Sequence, residues 1–380
     1  MANKNLQSAK RAKNDEFYTQ YSDIQKEIEA YLEYNPDVFR SKVVYCNCDD
    51  PFESNFFRYF VLNFNKLGLK QLITTSYKPS PVANTQLSLF GDDKTLTKAK
   101  GRPKINANKF IINEVHDIDG DGEFNLKDVA QQLKANKHNE WTPLEGDGDF
   151  RSDECINLLK RSDIVVTNPP FSLFRQYVKQ LVDYNKKFVI IGSLNAITNK
   201  ELFPMIKANR LWFGPSISGG DREFRVPDYY PINAAGWRID DDGNKYLRVK
   251  GVRWFTNMDH GRRHQPLPLM TMEENLKYSK HKGFKVKKAY DKYENYDAIE
   301  VPFTDAIPSD YSRIMGVPIS FLDKYNPEQF EILDCHEPCI DLEVLRQNPT
   351  FKEYKSRQIM YGGKLCQKTY HRIFIRHKKK

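Results

Sequence analysis

Cysteine is scarce in this chain, with six among 380 residues. That excludes the disulfide-built scaffold of small secreted domains, and the thiols read as reduced. The nearest Cys and His groupings are Cys46-Asn47-Cys48, Cys335 and Cys339 with His336 between them, and His260 with His264. None repeats at a finger or ribbon spacing, so no metal site is expected. Long apolar runs are missing too. Nothing approaches the ~18 consecutive apolar residues of a membrane span, and the first twenty residues, MANKNLQSAKRAKNDEFYTQ, carry no apolar signal-peptide centre. The expectation is a cytoplasmic protein with no membrane partner. The sequence shows no internal repeat and no convincing cluster of two carboxylates and a lysine such as a metal-dependent nuclease needs. Carboxylates are the minority charge, with 50 Asp and Glu against 59 Lys and Arg for a formal +9. Such a balance favours polyanionic partners, nucleic acid first.

Hydrophobic residues at 39% and aromatics at 13% are enough to bury a real core. At roughly one domain per 150 residues, the length suggests two domains. Residues 1–14 read as a flexible basic arm. Helical spacing of Ile24, Ile28, Tyr31 and Leu32 marks an amphipathic helix ending before Asn35-Pro36. A buried strand, Lys42 to Cys48, follows, then a helix from Phe56 to Phe64 closed by Gly68, and a strand from Gln71 to Tyr77. After a polar stretch, Ser162–Thr167 reads as a strand, Leu173–Val182 as a helix, Lys187–Gly192 as a strand and 199–208 as a helix. Strand and helix alternating across short connections predict an α/β domain with a mostly parallel sheet flanked by helices, over about 15–214. Residues 78–140 are expected to form a surface insertion, with Phe110-Ile111-Ile112 inside it reading as a strand. Beyond Gly214 the alternation stops, which predicts an irregular α+β region over 215–380 with short strands such as Tyr246–Val249 and Val252–Phe255.

The segment that carries chemistry is Asn168-Pro169-Pro170-Phe171, at the carboxyl end of a strand with a helix after it. In open α/β sheets ligands bind there. Paired prolines fix two φ angles and form a stiff ridge of carbonyls. That arrangement suits alkylation of an aromatic amine, whose lone pair is delocalised into the ring and is a poor nucleophile. The Asn168 side-chain oxygen and the Pro169 carbonyl can each accept one hydrogen of the amine and draw it toward tetrahedral geometry. Phe171 would stack on a base swung out of a duplex. A plain turn after a strand is the competing reading, but the chance of such a motif in a chain this long is on the order of one or two in a hundred.

Other candidates are weaker alone. Phe17-Tyr18-Thr19 sets two aromatic faces beside a hydroxyl, fit for an adenosyl or methionyl pocket or for stapling the helix that follows. At the end of the first strand the expected Gly-rich turn is missing. Small, polar Cys46, Asn47 and Cys48 still permit close backbone approach, with Asp49 or Asp50 available for an ammonium group; a helix start capped by Asp50 fits equally well. Asp149 and Phe150 could meet an adenine, while Ser152 reads as a helix cap. Asp117, Asp119, Asp121, Gly122, Asn125 and Asp128 follow a calcium-loop spacing, but position 12 is Asp and a strand precedes the loop. Lys100-Gly101-Arg102-Pro103-Lys104 is either a minor-groove hook or a solvated basic loop. Arg222, Arg225, Arg253, Arg262 and Arg263 are candidates for DNA contact, with surface solvation an equal alternative.

Taken in order, 15–20, 43–51, 146–152 and 163–174, with Met315–Ile319, Phe321 and Tyr325–Phe330, resemble the EcoRI-type adenine-specific DNA methyltransferases over nearly the whole chain. The resemblance implies a Rossmann-like methyltransferase fold and S-adenosylmethionine as cofactor without metal. It also implies methylation of adenine N6 in a short duplex site, with cofactor elements first, the Asn-Pro-Pro-Phe segment next and target recognition last. A restriction-modification setting is implied as well, with a cognate endonuclease acting on the same site outside any stable complex. Modifying one strand at a time fits a monomer. RNA or protein methylation is the nearest rival, and a DNA-binding protein without catalysis would show damage at Asn168–Phe171, where none is visible.

Overall fold

Short runs of fully buried apolar residues form the central strands, and amphipathic helices cover them. The computed structural model describes residues 18–48, 54–77, 107–117, 128, 138–226 and 236–378. Chain order in the first part is α1 (Tyr21–Tyr34), β1 (Val43–Cys46), α2 (Asn55–Leu62), α3 (Phe64–Leu67), β2 (Gln71–Thr75), β3 (Asn108–Ile112), β4 (Glu140–Pro143), α4 (Asp153–Arg161), β5 (Ile164–Thr167), α5 (Phe174–Asp183) and β6 (Lys187–Ser193). On α1 the buried face is Ile24, Glu27, Ile28 and Tyr31, the expected spacing with one carboxylate among it. Tyr31 donates to Glu27 Oε1 at 2.9 Å and the Ser216 amide donates to Oε2 at 2.9 Å, so the buried carboxylate pins the chain just past Gly214. Ser54 caps α2 by accepting from the Phe56 and Phe57 amides, and Gly68, at φ 62°, closes α3 in the left-handed region as expected.

The main sheet runs β4-β3-β2-β1-β5-β6-β11-β7, with β7 (Trp212–Phe213) and β11 (Val252–Thr256) at one end. Its middle is parallel: β2, β1, β5 and β6 pair in that order, with Val44 opposite Ile164 and Thr167 opposite Ile190. Helices flank this sheet as in a Rossmann-like methyltransferase. Both flanks are antiparallel. Strand β3 pairs with β2 and buries Phe110, Ile111 and Ile112. Within the stretch expected as a surface insertion over 78–140, the apolar residues Phe110–Ile112 thus belong to the sheet. Residues 78–106, including the Lys100–Lys104 motif, and 118–127 of the suggested calcium loop lie outside the described residues.

The chain divides into two compact units, one of 1–196 with 213–260 and the other of 197–212 with 261–380. The chain passes between the units at 196/197, 212/213 and 260/261, so the region expected over 215–380 has residues in both. In β11 every residue of Val-Arg-Trp-Phe-Thr is buried, and the strand lies antiparallel to β6 with Trp254 opposite Ile191. Burying that run on the sheet keeps Phe213–His260 with the first unit. So do β8 (Asp221–Val226), β9 (Trp237–Ile239) and β10 (Lys245–Lys250), which form a separate three-stranded antiparallel sheet in the order β8-β10-β9.

The second unit is α+β. It contains α6 (Phe203–Lys207), α7 (Met272–Tyr278), α8 (Lys282–Lys285), β12 (Ile299–Glu300), β13 (Met315–Pro318), β14 (Phe330–His336), β15 (Cys339–Asp341), α9 (Leu342–Arg346), β16 (Gln358–Tyr361), β17 (Lys364–Lys368) and β18 (Arg372–His377). Two small sheets, β12-β13-β18-β14 and β15-β17-β16, carry it. The buried Glu300 carboxylate accepts from Arg372 at 2.6 Å and also from Tyr293, which offsets the cost of burying the charge.

Candidate active site

The strand order of the main sheet reverses between β1 and β5, because the chain runs from β1 to β2 on one side and returns to β5 on the other. At such a switch point the crevice outside the carboxyl ends of the two strands is the ligand site. Cys46-Asn47-Cys48 ends β1, and Thr167-Asn168-Pro169-Pro170-Phe171 ends β5, so two of the segments singled out from sequence lie on adjacent strands. They are also bonded together. Thr167 Oγ1 donates to the Asn47 carbonyl, and the Tyr177 hydroxyl of α5 donates to Asn47 Oδ1. Asn47 is buried with both its backbone and its side chain held. Cys48 turns the chain off the strand at φ 60°, in the left-handed region where glycine would be unstrained.

Asn168 and Pro169 are buried, while Pro170 and Phe171 are half-buried. The Pro170 carbonyl accepts from the Leu173 amide at 2.9 Å, a turn that leads straight into α5. Phe171 rests against the core of the first unit. The segment is thus anchored on both sides, by β5 and by α5, which is what preorganised acceptors require.

A third segment meets these two through Tyr177. Gly148, at φ 79°, lies so close to the chain just past β2 that a Cβ there would overlap the Ser76 carbonyl oxygen. That approach brings the 146–152 loop onto the carboxyl edge of the sheet. Phe150 is buried with its ring edge-on to Tyr177, centroids 5.0 Å apart, and its carbonyl accepts from Gln180 Nε2 at 3.0 Å. Asp149 accepts from Arg151 Nε at 2.9 Å, from its second guanidinium nitrogen at 2.6 Å and from its amide at 2.8 Å. The side-chain bonds from Arg151, above all, hold the Asp149 carboxyl below its ordinary value. Ser152 caps α4 by accepting from the Cys155 amide at 3.3 Å, as its sequence position suggested.

Sequence reading missed Tyr177, which ties the end of β1 at Asn47 to the 146–152 loop at Phe150. A signal was present: Phe174, Tyr177, Val178 and Leu181 form the buried face of α5, and a tyrosine in such a row needs a partner for its hydroxyl. Burial drives its phenol far above the ordinary range, so it acts only as a neutral donor. Replacing Tyr177 with Phe should lower stability by about 1–3 kcal/mol, since Asn47 Oδ1 would be left buried without its donor; urea unfolding of the variant measures this, and an unchanged midpoint would remove the bond from the account.

The remaining candidates lie on other elements. Tyr18 and Arg225 exchange backbone hydrogen bonds of 2.9 and 3.2 Å, and Asn55 Nδ2 donates to the Thr19 carbonyl at 2.7 Å, which fixes Tyr18-Thr19 between β8 and the start of α2. Phe17, Asp49 and Asp50 lie outside the described residues. Arg225 is exposed on β8 and Arg222 is half-buried beside it, with Nη1 donating to the Asp221 carbonyl at 3.1 Å. Arg253 is buried in β11, donating to the Val252 carbonyl at 2.8 Å. In the second unit Arg262 is half-buried, and Arg263 is buried over the Trp212 ring at 3.8 Å and bonded to Asn209. Arg253 and Arg263, candidates for DNA contact from the sequence, are thus buried side chains. No group of three or more His, Cys, Asp or Glu that could hold a metal ion occurs among the described residues, and no helix among them is long and apolar enough to cross a membrane.

Comparison with known proteins adds to this geometry. The family model described as adenine-specific methyltransferase EcoRI matches residues 5–378. Type II methyltransferase M.EcoRI of Escherichia coli is 45% identical over 331 residues, 87% of this chain and 89% of that protein. Type II methyltransferase M.MpnI of Mycoplasma pneumoniae is 34% identical over 346 residues, 90% of this chain and 88% of its own length. M.MgeORF184P of Mycoplasma genitalium, also a type II methyltransferase, is 35% identical over 347 residues, 90% of each. No solved structure matches.

Proposed function

The chain belongs to the EcoRI family of adenine-specific DNA methyltransferases, enzymes of the restriction-modification type, and on that premise we propose that it moves a methyl group from S-adenosylmethionine to N6 of an adenine flipped out of duplex DNA. The observation that carries this reading is the position of Asn168-Pro169-Pro170-Phe171: it ends β5 at the switch point and is tied through Thr167 to the end of β1.

The residues at hand fit the cofactor. The end of β1, Cys46 and Asn47, offers backbone at the usual nucleotide position, Phe150 offers an aromatic face, and Tyr18-Thr19 an aromatic and a hydroxyl. Asp149 already accepts from Arg151 through both oxygens, yet a carboxylate has about four lone-pair sites and keeps room for one more donor. Asp49 or Asp50 would hold the ammonium group of the cofactor by charge-assisted hydrogen bonds. Bound there, the cofactor supplies an electrophilic methyl on a sulfonium. The chain's own part is orientation: Asn168 Oδ1 and the Pro169 carbonyl accept the two N6 hydrogens, raise the electron density on nitrogen and fix its direction, and Phe171 stacks on the base. Taking the adenine out of the helix is required because N6 cannot be approached inside the stack. Arg222, Arg225 and Arg262 are assigned to the DNA backbone. The enzyme works as a monomer in the cytoplasm, and its cognate endonuclease reads the same site without forming a stable complex with it.

Transfer of labelled methyl from S-adenosylmethionine to duplex DNA, RNA and protein, followed by nucleoside analysis, tests the proposal. N6-methyladenine in DNA alone is expected; label confined to RNA or protein would overturn the substrate while leaving the chemistry.

A further inference from the structure

In the second unit β16 and β17 form a hairpin whose turn is Gly362-Gly363, with φ of 56° and 78°. Two successive positive φ values make the tight hairpin turn that glycines favour. The third strand of this sheet, β15, pairs with β17 only from Cys366 to Lys368. Beyond Cys366 the hairpin continues as a two-stranded ribbon, with Met360 opposite Leu365 and Tyr361 opposite Lys364. Side chains alternate between faces along a strand, so Met360 and Leu365 share one face and Tyr361 and Lys364 the other. All are exposed, Met360 at 67%, Tyr361 at 45% and Leu365 at 40%.

Folding gains nothing from apolar residues at such a place, and exposed strands are ordinarily blunted with charge. Around this tip positive charge predominates. From Phe351 to Lys378 there are eight Lys and Arg and a single carboxylate, Glu353. That carboxylate is bound by Arg346 at 3.2 Å, and Glu337 nearby by Arg357 at 3.1 Å. Lys364 lies 3.2 Å from Asp341 but remains exposed, as do Lys352 and Lys355. A cationic surface bearing an apolar tip matches a polyanion with apolar edges in its groove. The major groove of B-DNA, about 12 Å wide, admits a two-stranded ribbon and presents thymine methyls to apolar side chains.

We propose that the β16–β17 ribbon is a duplex-DNA contact of this enzyme, with Met360 and Leu365 against base edges in the major groove and Lys352, Lys355 and Lys364 against flanking phosphates. The assignment rests on duplex DNA being the substrate. Its test uses the full-length protein with Met360→Ser and Leu365→Ser together, on a short duplex carrying the site mapped with the unaltered protein. The expected result is a fall of about tenfold or more in duplex affinity and in kcat/KM, with broadened sequence preference and with the melting temperature and S-adenosylmethionine affinity unchanged. A separate Lys352→Ala, Lys355→Ala variant should weaken binding evenly across sequences and flatten its salt dependence. Binding and transfer within about twofold of the unaltered protein would overturn the ribbon's role while the substrate stands. So would sedimentation showing that the tip holds two copies of the chain together and that duplex binding survives its loss. Should the unaltered protein neither bind nor methylate duplex DNA, the substrate itself falls and the ribbon assignment with it.

Discussion

Asn168→Ala is expected to cut methyl transfer by about 10²–10³, the usual consequence of removing one preorganised polar group from a reacting centre. The side chain stands past the last residue of β5, and its removal takes away one acceptor without touching Thr167, whose hydroxyl secures Asn47. Cofactor affinity should therefore stay near its original value, and so should the melting temperature. This division separates a role in orienting the amine from a role in holding the site together. Asn168→Asp keeps an acceptor and should lose less. Single-turnover transfer to duplex DNA, beside calorimetric titration with S-adenosylmethionine, reads both quantities. Turnover of the Ala variant within a few-fold of the original would take Asn168 out of the mechanism; equal losses in affinity and rate would make it a structural residue.

Gly148→Ala should produce the second large effect, by a different route. At φ 79° the position lies where a side chain is strained, at a cost of about 1–3 kcal/mol. The added methyl would also overlap the Ser76 carbonyl oxygen, which is backbone and cannot swing aside. The loop must then lift off the end of β2 and take Asp149 and Phe150 with it. A misplacement of 1 Å at a reacting site is enough to lose about a hundredfold, so S-adenosylmethionine affinity or kcat/KM should fall by roughly that factor together with a lowered melting temperature. Two residues away Gly146 provides the control, since a Cβ there meets nothing within 4 Å. If Gly146→Ala and Gly148→Ala behave alike in binding and melting, the close approach to Ser76 has no part in shaping the site.

Both variants address features that the sequence disclosed to different degrees. Asn168 could be singled out because Asn-Pro-Pro-Phe is an uncommon string in a telling context. Gly148 lay inside a loop already marked for Asp149 and Phe150, but nothing local indicated that its neighbour is Ser76. Buried, amphipathic and capped elements were equally readable: Ser152 and Gly68 sit at helix ends, and the strands through Val44, Ile73, Val165 and Ile190 occur where apolar runs meet polar boundaries. The arginines show the limit. Arg225 is exposed and Arg253 is buried, because one faces outward from a small three-stranded sheet and the other lies in a strand whose every residue is buried.

Sequence alone determined which residues are apolar on which period, where most helices and strands lie, that Asn-Pro-Pro-Phe follows a strand and precedes a helix, and which family the chain belongs to. These are properties of neighbours within a few positions, or of strings long enough to be distinctive. Tertiary structure decided that β3 and β11 flank the parallel strands as antiparallel neighbours, that the first unit extends to His260, and that Asn47 and Phe150 meet at one tyrosine while Thr167 ties Asn47 to the end of β5. Asn47 meets Thr167 across 120 positions and Tyr177 across 130. Contacts of that reach are chosen by which strands can pair and which faces must be buried together, and no local pattern encodes them.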